Sequence, residues 1–183
     1  MRTMLRDAAA RPECFIFSGP VPQGELEAWM RAWGVEAPDD LVAFWESFGG
    51  AEVFETETLL SPLPRTELED DLMAENQRLH QRGLPRDYLL FHVGATLSAV
   101  RQGAPPYVTL DHVSLMPTGQ FATLDEWYRR VLHDEYAEWY GIADDHGRAD
   151  EVVLPVRLRR PEATTGRQSC APSKRACREQ EKR

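Results

Sequence analysis

Carboxylates and histidines are the side chains here with most chemistry to offer, and their spacing decides which chemistry. Glu67, Glu69, Asp70, Asp71 and Glu75 crowd one short stretch. Paired carboxylates bind divalent cations or trade protons. This run lacks EF-hand spacing and the glycine that such a loop requires. Acids at the start of a helix also complement its dipole, which explains most of the run without a ligand. A third reading is a contact patch for a basic partner. Glu52, Glu55 and Glu57 would extend that patch, although Glu55 and Glu57 share a strand face with Val53.

The histidines are His80, His92, His112, His133 and His146, and no two have the H-x-x-x-H spacing of a metal pair. His133 stands beside Asp134 and Glu135 on a helical stretch, where it reads as a solvated surface residue rather than a general base. His92 sits in an apolar strand. His112 follows Asp111, but adjacent strand residues point to opposite faces and would not converge. No G-x-S-x-G, P-loop or G-x-G-x-x-G opening a helix is present. Cys14, Cys170 and Cys177 are odd in number and widely spaced, which suits a reducing cytosol better than a disulfide scaffold or a zinc site. No catalytic residue, cofactor or metal is expected.

Five tryptophans remain. Trp29, Trp33, Trp45 and Trp127 fall at helical spacing and read as core. Trp139, between Tyr136 and Tyr140 and near a helix end, reads as an exposed contact site.

The net charge of −9 hides a split. Residues 1–156 carry 12 Arg and 27 acids, so 12 − 27 = −15, while residues 157–183 carry nine cations and three acids, so 9 − 3 = +6. The acidic body repels nucleic acid and membrane phosphates and would steer a basic protein partner. No run of 18 apolar residues is present and no apolar h-region follows Arg2 and Arg6, so neither a membrane span nor a secretory signal is expected.

These side chains need a frame. Residues 1–13 lack periodicity and are expected to be flexible. Cys14 to Phe17 suits a short edge strand. Leu26, Trp29, Met30 and Trp33 make a helical stripe over 23–33, stopped by Gly34. Leu41, Phe44, Trp45 and Phe48 make another, opened by Pro38, Asp39 and Asp40 and closed by Gly49 or Gly50. Glu52 to Leu60 alternates as one strand or extended loop, ended by Ser61-Pro62-Leu63-Pro64. Thr66 with Glu69 forms a capping box for a third helix carrying Leu68, Leu72 and Leu79.

Strands follow at 88–93, 97–101 and 107–110, with a shorter candidate at 113–116. Thr123 with Glu126 caps a long last helix that ends near Gly141. A final strand is possible at 152–158, and 159–183 is a basic, disordered tail. Helices, then a meander, then a helix, without βαβ alternation, predict one α+β domain over 14–158.

The aromatic helix running into Gly-Gly (LVAFWESFGG), the acidic strand with LLSP, the capped helix, YLLFHVG and the final FATLDEWYRRVL together resemble the SUKH superfamily, the Smi/Knr type, over residues 23–140. The resemblance implies a curved antiparallel or mixed sheet with about four packing helices. It implies a cytoplasmic, non-enzymatic immunity protein that neutralises a cognate polymorphic toxin, often a basic nuclease, or alternatively a regulatory or scaffold module. It brings no catalytic residue set. The partner surface expected from the acids and aromatics comprises Glu52, Glu55, Glu57, Glu67, Glu69, Asp70, Asp71 and Trp139.

Overall fold

The computed structural model describes residues 1–64 and 68–142, all within a compact unit spanning Met1–Ala149. The expected strand at 152–158 and the basic tail lie outside the described residues. The chain is α+β. An open antiparallel sheet of seven strands runs in strict sequence order: β1 (Phe15–Phe17), β2 (Ala51–Val53), β3 (Glu57–Leu59), β4 (Tyr88–Val93), β5 (Leu97–Arg101), β6 (Tyr107–Leu110) and β7 (Pro117–Phe121). Helices interrupt this meander. α1 (Arg2–Ala10) precedes it, α2 (Gln23–Trp33) and α3 (Asp39–Phe48) separate β1 from β2, and α4 (Leu72–Gln81) separates β3 from β4. After β7 a continuous helical rod is built from α5 (Leu124–Tyr128), a π-helical turn (Arg129–His133) and α6 (Asp134–Tyr140).

The helical stripes bury what their spacing predicts, with one exception. Leu41, Phe44 and Trp45 of α3 are fully buried, and Trp45 donates its indole N–H to Leu60 O at 3.0 Å. Burying an aromatic of this size is worth about 2–3 kcal/mol. Trp29 is half-buried and packs edge-on against Trp45, with ring centroids 6.3 Å apart. Trp33 departs from the core expectation. It lies in the last turn of α2, just before the left-handed Gly34, and stays 50% exposed. Gly49 and Gly50 follow from close approach. A Cβ on Gly49 (φ 72°) would meet Gly19 O at 2.4 Å, and one on Gly50 would meet Leu59 O at 2.7 Å.

Three expected elements are redrawn. Residues 1–13, expected to be flexible, hold α1, because Met4 and Asp7 one turn apart both turn inward and are buried. An inward carboxylate leaves no apolar periodicity to read. The single strand over 52–60 is a hairpin, β2–β3, turned by Phe54 (φ 53°) and Glu55 (φ 64°). Left-handed backbone at non-glycine residues is uncommon. Burial of the Phe54 ring against Phe15, Tyr136 and Tyr140 offsets its cost. The strand expected at 113–116 is a turn. Asp111 Oδ1 accepts Val113 N–H at 3.1 Å and Ser114 N–H at 2.7 Å, and the strand itself is β7, which begins at Pro117.

The helix expected to open at Thr66 begins instead at Leu72. Its cap is Asp71, whose Oδ1 accepts Met73 N–H at 2.9 Å and Ala74 N–H at 3.0 Å. Thr66 lies outside the described residues. The second predicted cap is present. Thr123 Oγ1 accepts Glu126 N–H at 3.1 Å, and Glu126 returns to Ala122 N–H at 2.8 Å.

α4 extends the sheet by a side chain. Asn76 donates to Leu90 O at 2.8 Å and accepts Leu90 N–H at 2.7 Å, pairing the edge of β4 beyond the end of β3. The ladder bulges at Phe91, so Ser98 of β5 lies opposite His92, and both Phe91 and His92 meet Trp127 at centroid distances of 4.8 and 4.9 Å.

Candidate functional site

Cross-strand partners share a sheet face. The registers Ile16–Glu52, Glu52–Thr58 and Thr58–Val93 therefore set one row across β1 to β4 on the outer face. Glu52, Thr58 and Val93 of that row floor a groove of about 370 Å³. Glu55 and Thr56 of the strained turn stand at one side, Leu68 and Glu69 at another, and α4 contributes Glu75 and Arg78. Arg78 Nε donates to Glu75 Oε2 at 3.0 Å, so its charge is already met. Glu52, Glu55 and Glu69 lie on the same groove as that pair, above an apolar base of Leu60 and Val93. The groove's chemistry is that of a cleft for a cationic, partly apolar segment.

The turn that carries Glu55 also packs on aromatics. Tyr136 and Tyr140 of α6 stack on Phe54 at 4.9 and 5.1 Å, and Tyr140 donates to Phe54 O at 3.1 Å. Partial burial and then the nearby Glu55 charge raise the Tyr140 phenol above its usual range. Trp139, on the same helix, is 86% exposed.

The structure thus divides the expected partner residues. Glu52, Glu55 and Glu69 share the groove. Asp71 is half-buried and spent on the cap of α4, and Glu67 lies outside the described residues. Glu57 and Asp70 are corrections, because both are wholly buried and face away from any partner. Asp70 accepts a short hydrogen bond from the Ser18 hydroxyl, and its backbone oxygen accepts Ser61 N–H at 2.7 Å. It ties the chain after β3 to the loop after β1.

Glu57 belongs to a core network that local sequence does not announce. Its Oε2 lies 2.9 Å from His92 Nε2, and its Oε1 accepts the Tyr136 hydroxyl and Ala95 N–H. Burial alone would raise this carboxyl, but the hydrogen bonds from His92 and Tyr136 outweigh it and hold Glu57 below its usual range. His92 Nδ1 lies 3.1 Å from Ser98 Oγ, which accepts Trp127 Nε1–H at 3.0 Å. Ser98, His92 and Glu57 line up in the order of a hydrolase triad. A nucleophile also needs space for substrate, and Ser98 is wholly buried beneath Trp127. Here the three groups join β3, β4 and β5 to the rod.

A second buried pair replaces the solvated His133 of the sequence reading. The π-helical turn aims His133 inward, where its Nδ1 lies 2.7 Å from Asp7 Oδ2 on α1, and Tyr128 donates to the same oxygen at 3.0 Å. Asp40 likewise accepts Leu124 N–H at 2.7 Å and a short hydrogen bond from Tyr107, linking α3, β6 and α5. Among the described residues no cluster of three or more His, Cys, Asp or Glu is arranged to hold a metal, and no helix is long and apolar enough to cross a membrane.

Against known proteins, the chain matches no family model and no curated protein. The groove and its chemistry are what bear on function.

Proposed function

We propose that this protein is a non-enzymatic protein-binding domain of the immunity type, acting inside the producing cell by seating a basic surface of a cognate toxin in the acidic groove. One observation carries the reading. The β2–β3 hairpin brings Glu52 and Glu55, and the stretch before α4 brings Glu69, onto one concave surface, where the nearby Arg78 is already paired with Glu75. Carboxylates so placed speed the encounter with a cationic partner. The exposed Trp139 and the tyrosines beside Phe54 offer aromatic anchors of the kind that hold such complexes. The resemblance to SUKH domains supplies the toxin as the partner class.

The test is affinity purification from the native cell at low and high salt, followed by kinetics on the captured partner. A stoichiometric basic protein, released by salt and lethal when expressed alone, supports immunity. The triple variant Glu52→Lys, Glu55→Lys, Glu69→Lys should then slow association at low salt by about tenfold or more and flatten its salt dependence. Association kinetics equal to those of the unaltered protein would remove the groove from the reading.

A further inference from the structure

Hydrogens and acceptors around His92 balance in only one protonation state. The Trp127 indole N–H donates and cannot accept, and it points at Ser98 Oγ. The Glu57 carboxylate only accepts, and it already takes Ala95 N–H and the Tyr136 hydroxyl. His92 Nε2, 2.9 Å from Glu57 Oε2, must therefore carry a hydrogen. His92 Nδ1, 3.1 Å from Ser98 Oγ, is then the acceptor for the Ser98 hydroxyl hydrogen. The chain runs one way, from Trp127 to Ser98 to His92 to Glu57, and it leaves no donor without an acceptor. Protonating Nδ1 makes that nitrogen a second donor to Ser98 Oγ. The hydroxyl hydrogen of Ser98 then loses its acceptor in a site where Ser98, His92 and Glu57 are all wholly buried. A buried donor left without an acceptor is costly.

We propose that this chain is an acid-sensitive latch: a proton on His92 gives the core one hydrogen more than it has acceptors, and the α5–α6 rod, held through Trp127 and Tyr136, releases from the sheet. The titratable groups facing His92 are Glu57 from β3, Tyr136 from α6 through Glu57, and His112 from the loop after β6. β5 and α5 present only Ser98 and Trp127. Burial, opposed by the pull of Glu57, holds His92 below the usual histidine range. Because Tyr136 and Tyr140 stack on Phe54, release of the rod also frees the turn that carries Glu55.

The experiment follows the ring nitrogens of ¹⁵N-labelled full-length protein by NMR from pH 8 to pH 5, with amide hydrogen exchange over the same range. The expected result is a neutral His92 with hydrogen on Nε2 at pH 8. As His92 takes up its second proton, below the usual histidine range, amides of α5 and α6 should lose at least tenfold protection while those of β5 and β6 keep theirs. The variant His92→Gln should keep its rod protected down to pH 5. Three results from the unaltered protein alone would overturn the proposal: hydrogen on Nδ1 at pH 8, a rod that stays protected once His92 has taken up its second proton, or loss of protection that does not follow the His92 ring signals.

Discussion

Gly94 shows how far a single residue can matter. A Cβ built there would lie 1.8 Å from a Glu57 carboxylate oxygen. A side-chain tip can usually swing aside, but this one is held by His92, Tyr136 and Ala95. Gly94→Ala is therefore expected to push Glu57 out of the network and leave the buried His92 without its acceptor. Urea denaturation should report a loss of about 2–4 kcal/mol, well above the cost of an ordinary Gly→Ala change in an open turn. The sequence marks Gly94 as a turn and Glu57 as one more surface acid, and nothing local says otherwise. Glu57 meets His92 at a separation of 35 residues, Ser18 meets Asp70 at 52, and Asp7 meets His133 at 126. Charge patterning within a short window cannot register partners so distant. The residues whose partners are their own helical neighbours, such as Leu41, Phe44 and Trp45, are legible for the same reason.

Elements follow the same division. α2 and α3 are readable because an apolar stripe and a terminal glycine are both local signals. The β2–β3 hairpin is hidden because Phe54 and Glu55 make its turn without glycine or asparagine, and β7 is hidden because it opens on Pro117 and carries Gly119. The groove is half-legible. Its acids are visible as a class, but the sheet register decides that Glu52 faces outward while Glu57 faces the core. α4 offers a clean comparison of two polar side chains. Asp71→Ala removes a partly exposed cap and should cost about 1 kcal/mol. Asn76→Ala leaves buried Leu90 N–H and C=O groups unmet at the edge of β4 and should cost more, about 2–4 kcal/mol. Thermal or urea unfolding of the two variants checks the order, and a larger loss for Asp71→Ala would contradict the side-chain extension of the sheet.

Across the whole molecule, acid acts in one direction on both members of the Glu57–His92 pair. The folded state holds each below its usual value. Unfolded chains therefore bind more protons below about pH 6.5 through His92 and below about pH 4.5 through Glu57, so stability is full at neutral pH and falls as pH drops through that window. Urea midpoints measured from pH 7.5 to pH 4 should decline steadily, most steeply where both groups titrate. The strand order carries a different consequence, one of timing. Among the described residues every strand pairs with its neighbour in the chain, so a growing polypeptide can zip each new strand onto the last as it leaves the ribosome. α1 has no such neighbour. It is made before the sheet, yet Asp7 waits for Tyr128 and His133, 121 and 126 residues downstream. Asp7→Ala should accordingly quicken unfolding while leaving the refolding rate nearly unchanged in stopped-flow kinetics. A helix synthesised ahead of the whole sheet docks only after it, and until it does the nascent fold shows its cellular surroundings a buried face of the rod.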